Sequence, residues 1–140
     1  MYKHILIPLD NSEVDAIILD HVRPLAKLTG AKISLIHVAD GYAARLQEQL
    51  NLADSEEIKQ DRAYLEKIKK TLTSEGFKAE TFFASGDPAK QILSVAEKEH
   101  CDLIAMSTHG HRFLIDLILG SVAENIRHRT NIPILMIRAA

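Results

Sequence analysis

The chain has 140 residues, of which 46% are hydrophobic and 26% charged, with a formal net charge of −2 and one cysteine, Cys101. These values describe one globular domain over residues 1–140 and exclude a disordered chain, a collagen-like repeat and a disulfide scaffold. They provide no basic field for nonspecific nucleic-acid binding, and no apolar run approaches the roughly 18 residues of a membrane span.

Met1 to His4 leads into Ile5-Leu6-Ile7-Pro8-Leu9, a short apolar run suited to a strand covered on both faces. No long apolar segment or small-residue cleavage site marks this start, so a cytoplasmic chain is expected. Asp10-Asn11-Ser12 punctuates the run, and Val14, Ile17, Ile18, Val22, Leu25 and Leu28 then recur at helical spacing. Ser12 is the expected N-cap of that helix, with Asp15 in the capping-box position. Pro24 is expected to kink or loosen the helix, and Gly30 to close it.

Ile33 to Val38 reads as a second strand, and residues 40–53 as a loop or short helix. The spacing of Ile58, Tyr64, Leu65, Ile68 and Leu72 predicts a helix from about Ser55 to Glu75, stopped by Gly76. Glu80 to Ala84 is a third strand. Asp87 and Pro88 then open a helix as N-cap and first residue, with Ile92, Leu93, Val95 and Ala96 facing inward. Leu103 to Met106 is a fourth strand, and Ser107 to Arg112 a polar, glycine-containing loop. Gly120-Ser121 precedes a helix carrying Val122, Ile126 and the basic end Arg127-His128-Arg129, which complements a helix C-terminus. Pro133 leads into a fifth strand, Ile134 to Ile137. Alternating strands and helices predict a parallel sheet covered on both sides, with ligands at the carboxyl ends of its strands.

Two strand ends carry the candidate chemistry. In the segment Met106-Ser107-Thr108-His109-Gly110-His111-Arg112, a glycine lets backbone amides approach a phosphate. Gly120-Ser121 adds a helix N-terminus and a hydroxyl, completing a phosphate cradle. The same residues also fit a plain turn at Gly110 and an N-cap at Ser121. Asp10, at the end of the first strand, fits either a ribose or base acceptor or a second N-cap. Neither a Walker-type loop nor a dinucleotide fingerprint is present. His109 and His111 could ligate a metal or act as acid and base, but the loop brings no cysteine or carboxylate cluster to them. Arg112 fits either a phosphate contact or a solvated loop arginine. Thr108-His109-Gly110-His111 is similar to the H-x-G-H signature of nucleotidyltransferases but lacks its first histidine. Cys101, flanked by His100 and Asp102, reads as a packed thiol, because sequence neighbours on a strand do not face one another.

In order and spacing, Ile5 to Ser12, Leu35-Ile36-His37-Val38, Gly86-Asp87-Pro88, Ser107-x-x-Gly110 with nine residues before Gly120-Ser121-Val122, and Asn131 to Leu135 resemble the universal stress proteins. The resemblance runs from Lys3 to Arg138. It implies a three-layer, doubly wound α/β fold, a five-stranded parallel sheet of order 3-2-1-4-5, Rossmann-like and of the adenine nucleotide alpha hydrolase type. It implies adenine-nucleotide binding: ATP, ADP or AMP, with magnesium held mainly by the phosphates. By position, Gly110 and the amides of His109 to Arg112 would face the phosphates, closed over by Gly120, Ser121 and Val122. Asp10 would meet the adenosine, with Pro8 and Leu9 nearby. The Val38 backbone would lie along the adenine edge, and Met106 near the ribose and base. Ser107 stands where binding members carry their first glycine; its Cβ would crowd a phosphate or its hydroxyl would donate to one. The resemblance implies a stress-response sensor or regulator with slow hydrolysis at most, since no general base is placed to activate water. The alternative readings are a nucleotide-independent interaction protein and a phosphohydrolase using His109 or His111. The apolar last strand, Ile134-Leu135-Met136-Ile137, is the expected homodimer edge.

Overall fold

The computed structural model describes residues 1–39, 56–108 and 122–138. In chain order the elements are β1 (His4–Pro8), α1 (Val14–Thr29), β2 (Lys32–Ala39), α2 (Glu56–Ser74), β3 (Ala79–Ser85), α3 (Pro88–Lys98), β4 (Leu103–Thr108), a helix α4 over 122–127, and β5 (Ile134–Arg138). The expected loop or short helix at 40–53 lies outside the described residues, as do His109 to Ser121.

The five strands form one parallel sheet of order β3-β2-β1-β4-β5. Side chains alternate across a strand, so an apolar run serves two cores at once. Ile5 and Ile7 of β1, Leu9 just after it, Ile33 and Leu35 of β2 and Leu103 and Ala105 of β4 pack with Ile18, Leu19 and Val22 of α1 and Leu65 and Leu72 of α2. On the other face Leu6, Ile36, Ile104 and Met106 pack with Ala89, Ile92 and Ala96 of α3 and Val122, Ala123 and Ile126 of α4. This double coverage is why the strands read as continuous apolar runs. No helix among the described residues is long and apolar enough to cross a membrane.

Several boundary signals act as expected. Gly30 takes φ 73° and its N–H donates to the Ala26 carbonyl at 2.8 Å, closing α1. The Asp87 carboxylate caps α3 by accepting from the Lys90 N–H at 2.9 Å, with Pro88 at the first helical position. Arg127, in the basic run expected to complement the helix end, pairs instead with the Glu124 carboxylate one turn earlier at 2.7 Å.

Two expectations need correction. The buried stripe of α1 is Val14, Asp15, Ile18, Leu19, Val22 and Ala26, whereas Ile17 and Leu28 are 39% and 85% exposed. Leu28 sits two residues past Ala26, about 200° around a helix of 3.6 residues per turn, and so faces outward. Pro24 falls inside α1, which runs on to Thr29. Finally, β4 continues through Ser107 and Thr108, read above as loop, because β5 keeps pairing with them: Ser107 opposes Ile137 and Thr108 opposes Arg138.

Cys101 is buried, and burial, with the Glu99 and Asp102 carboxylates behind it, pushes its thiol up to about 12. That is the chemistry of a packed thiol, since the thiolate is the reactive form. Burial works against ionisation of the neighbouring Asp102, yet N–H donors from Lys3 at 2.8 Å and His4 at 3.0 Å hold its carboxyl below the usual range. Asp102 thereby ties the start of β4 to the start of β1.

Candidate functional site

Strand pairing itself opens the site. β1 pairs with β2 as far as Pro8 opposite Ile36, but with β4 only at Ile5–Leu103 and Leu6–Ile104. β4 meanwhile stays paired with β5 to Thr108. Past Leu6 and Ile104 the carboxyl ends of β1 and β4 therefore part, at the point where the sheet order reverses. That is where open α/β sheets receive ligands.

Seven of the sequence-derived site residues are described: Pro8, Leu9, Asp10, Val38, Met106, Ser107 and Val122. His109, Gly110, His111, Arg112, Gly120 and Ser121 lie outside the described residues. Pro8, Leu9, Met106, Ser107 and Val122 are buried, while Asp10 and Val38 are half-buried. The Met106 side chain lies in the core with Leu6, Ile36 and Val122.

Ser107 has a definite role. It lies in a strand, it is not among the residues with positive φ, and it is 1% exposed. Its side chain shares the α1 face of the sheet with Leu103 and Ala105, and its hydroxyl donates to the Val14 carbonyl at 3.2 Å. The serine thus ties the end of β4 to the first turn of α1, and its one hydroxyl proton is engaged there. Ser107→Gly should lose that bond and loosen the strand, lowering stability by about 1–2 kcal/mol in chemical denaturation. Nucleotide affinity should change less than about threefold. A gain of tenfold or more would show instead that the serine side chain crowds the ligand.

The turn after β1 is organised differently from the sequence expectation. Ser12 does not cap α1: Glu13 is the N-cap residue, with no side-chain cap bond. The Ser12 hydroxyl instead donates to Asp10 Oδ1 in a short hydrogen bond. Asp15 supplies the organising group. Its carboxylate accepts from the backbone N–H of Asp10 at 3.2 Å, Asn11 at 2.9 Å and Ser12 at 3.4 Å. These amides lie in the turn ahead of the N-cap Glu13, where no helix or strand partner is available, and the first-turn carboxylate of Asp15 satisfies them. Asn11 adopts φ 62°, a conformation asparagine tolerates better than most residues.

Helix α2 reaches over the same turn. Tyr64 donates its hydroxyl to Asp15 Oδ2 at 2.7 Å, and Asp61 Oδ1 accepts from Asn11 Nδ2 at 2.9 Å. The other Asp61 oxygen lies 3.2 Å from His37 Nε2, while His37 Nδ1 lies 2.9 Å from the Leu9 carbonyl. Both ring nitrogens of His37 face oxygen acceptors, so the ring bridges the Leu9 carbonyl and Asp61. Desolvation and then the Asp10 charge raise Asp15 to about 7, against the pull of its hydrogen-bond donors. Burial and the Asp15 carboxylate push the Tyr64 hydroxyl up as well. In the sequence Asp15 stands out only as half of a capping box and Tyr64 only as part of a helical stripe. Among the described residues no three His, Cys, Asp or Glu side chains gather as a metal-ligand group.

This is a doubly wound α/β domain whose polar turn lies at the switch in strand order. The universal stress protein family model matches residues 1–138, and the chain belongs to that family. It is similar to universal stress protein MJ0577 of Methanocaldococcus jannaschii, 32% identical over 99% of this chain and 96% of the relative. The solved structure of MJ0577 superposes with a TM-score of 0.84 at 35% identity, covering 100% of this chain and 98% of that one. A universal stress protein solved in complex with cAMP shares the fold at TM-score 0.72 and 18% identity, covering 99% and 98% of the two chains. Another, from Archaeoglobus fulgidus in complex with dAMP, does so at 0.71 and 18%, covering 96% and 97%.

Proposed function

We propose that this chain binds an adenine nucleotide, ATP or its ADP and AMP relatives, where β1 and β4 part, and works as a stress-response regulator. The observation that carries the reading is the early end of the β1–β4 ladder at Leu6 and Ile104, beside a β4 that runs on to Thr108. Pro8-Leu9-Asp10 and the Ser107-to-Ser121 motif both follow that end of the ladder, which supports reading them as one site. Family membership supports the reading. The cAMP and dAMP complexes of two fold neighbours support it at the level of architecture.

In this proposal Asp10 accepts from the adenosine and the Val38 backbone lines the adenine edge. Gly110, with the amides of His109 to Arg112, faces the phosphates, and Gly120, Ser121 and Val122 close the far side. Magnesium is held by the phosphates, because that ion keeps an octahedral shell of oxygen and water. Hydrolysis is slow at most. β5 lies at the edge of the sheet, and we assign a homodimer to it, since an apolar edge strand pairs readily with a second copy.

Native mass spectrometry of the purified protein tests both parts. The expected spectrum shows twice the 15.6 kDa chain mass carrying adenine-nucleotide increments, and denaturation releases them. A dimer without nucleotide, even after ATP and magnesium are added, would favour the interaction-protein reading. Steady phosphate release, lost on His109→Ala or His111→Ala, would favour a phosphohydrolase.

A further inference from the structure

The backbone from Leu9 to Ser12 is held at every step. The Leu9 N–H donates to the Ile36 carbonyl at 2.8 Å, and the Leu9 carbonyl accepts from His37. The next three amides, those of Asp10, Asn11 and Ser12, converge on Asp15. Helix capping alone calls for one or two such bonds. Here the first amide held is that of Asp10, the last is that of Ser12, and the Ser12 hydroxyl grips the Asp10 carboxylate. Asp15 is 1% exposed, so it acts through the turn. Its outer support is α2, where Asp61 and Tyr64, three residues apart and on one helix face, hold Asn11 and Asp15.

We propose that Asp15, backed by Tyr64 and Asp61 of α2, is the positioning set that aims Asp10 at the adenosine. This rests on the adenine-nucleotide reading above. It makes α2 part of the site, although none of its residues belongs to a nucleotide motif. An interaction made through Asp10 should respond to loss of these bonds, whereas contacts to the phosphates should not.

The test compares ATP with inorganic tripolyphosphate, which keeps the phosphates and lacks the adenosine, at about pH 8, above the Asp15 titration. Tyr64→Phe removes one hydroxyl and keeps the ring, and Asp15→Asn keeps the shape and one acceptor. Each should weaken ATP by about three- to tenfold while tripolyphosphate stays within about twofold of wild type. A merely structural role would weaken both ligands together, and that result overturns the proposal. It is also overturned if the wild type prefers ATP and both variants keep the full preference; the nucleotide reading then stands. A wild type that binds the two ligands equally removes the adenosine reading itself, and this proposal with it.

Discussion

The unfolding free energy of this protein should fall as pH rises from about 4 to about 7, and Asp15→Asn should remove that part of the slope. Asp15 titrates near 7 in the fold, first through desolvation and then through the Asp10 charge. An unfolded aspartate titrates near about 3.9. Between those values the folded chain holds a proton that the unfolded chain has released, so raising pH favours unfolding. The contribution is fully present below the unfolded value and lost as pH passes the folded one. Its size is on the order of 2–4 kcal/mol, a large fraction of a typical domain's stability. Asp102 and Glu80 act in the opposite sense, since their carboxyls are held low by the Lys3 and His4 amides and by Lys32 respectively. They add stability above the unfolded carboxylate range and lose it in acid. Wild-type stability should therefore peak in mildly acidic solution, and the peak should move toward neutrality in Asp15→Asn. Urea unfolding at a series of pH values measures this directly. Parallel wild-type and variant profiles would mean that Asp15 ionises as freely in the fold as out of it.

Gly110→Val should weaken ATP binding by about a hundredfold or more and leave the fold intact. The prediction comes from the motif. A backbone amide reaches a phosphate closely only where no Cβ intervenes, and valine adds a branched one. If the native φ is positive, valine adds roughly 1–2 kcal/mol of strain as well. The thermal midpoint separates the two effects, because steric exclusion of phosphate leaves it nearly unchanged. Undiminished affinity would remove Gly110 from the site.

Much of the fold is legible in the sequence because the central strands β1, β2 and β4 are buried on both faces. Ile5-Leu6-Ile7 and Ile33 to Ile36 look alike for that reason, and the helices between them force parallel pairing. Gly30, Asp87 and Pro88 are local devices, so local reading finds them. Ser107 and Thr108 resemble a loop in the sequence because they are polar residues before a glycine, while their strand character comes from β5, some 30 residues later. The polar turn is hidden from local sequence for the same kind of reason. Ser12 is a good N-cap type, yet its hydroxyl turns back to Asp10, and Asp15, which Tyr64 joins from 49 residues away, holds the amides of the turn. The Asn11–Asp61 and His37–Leu9 bonds likewise join distant segments. An aspartate at a position where the α1 stripe turns inward is the one sequence signal that could have revealed a buried carboxylate.

Calorimetric titration of the purified wild-type chain with ATP and magnesium tests the central claim most directly. The account predicts a saturable heat with one nucleotide per chain, at a dissociation constant in the micromolar to millimolar range. A folded protein that gives no binding heat with ATP, ADP or AMP up to millimolar concentration would contradict it.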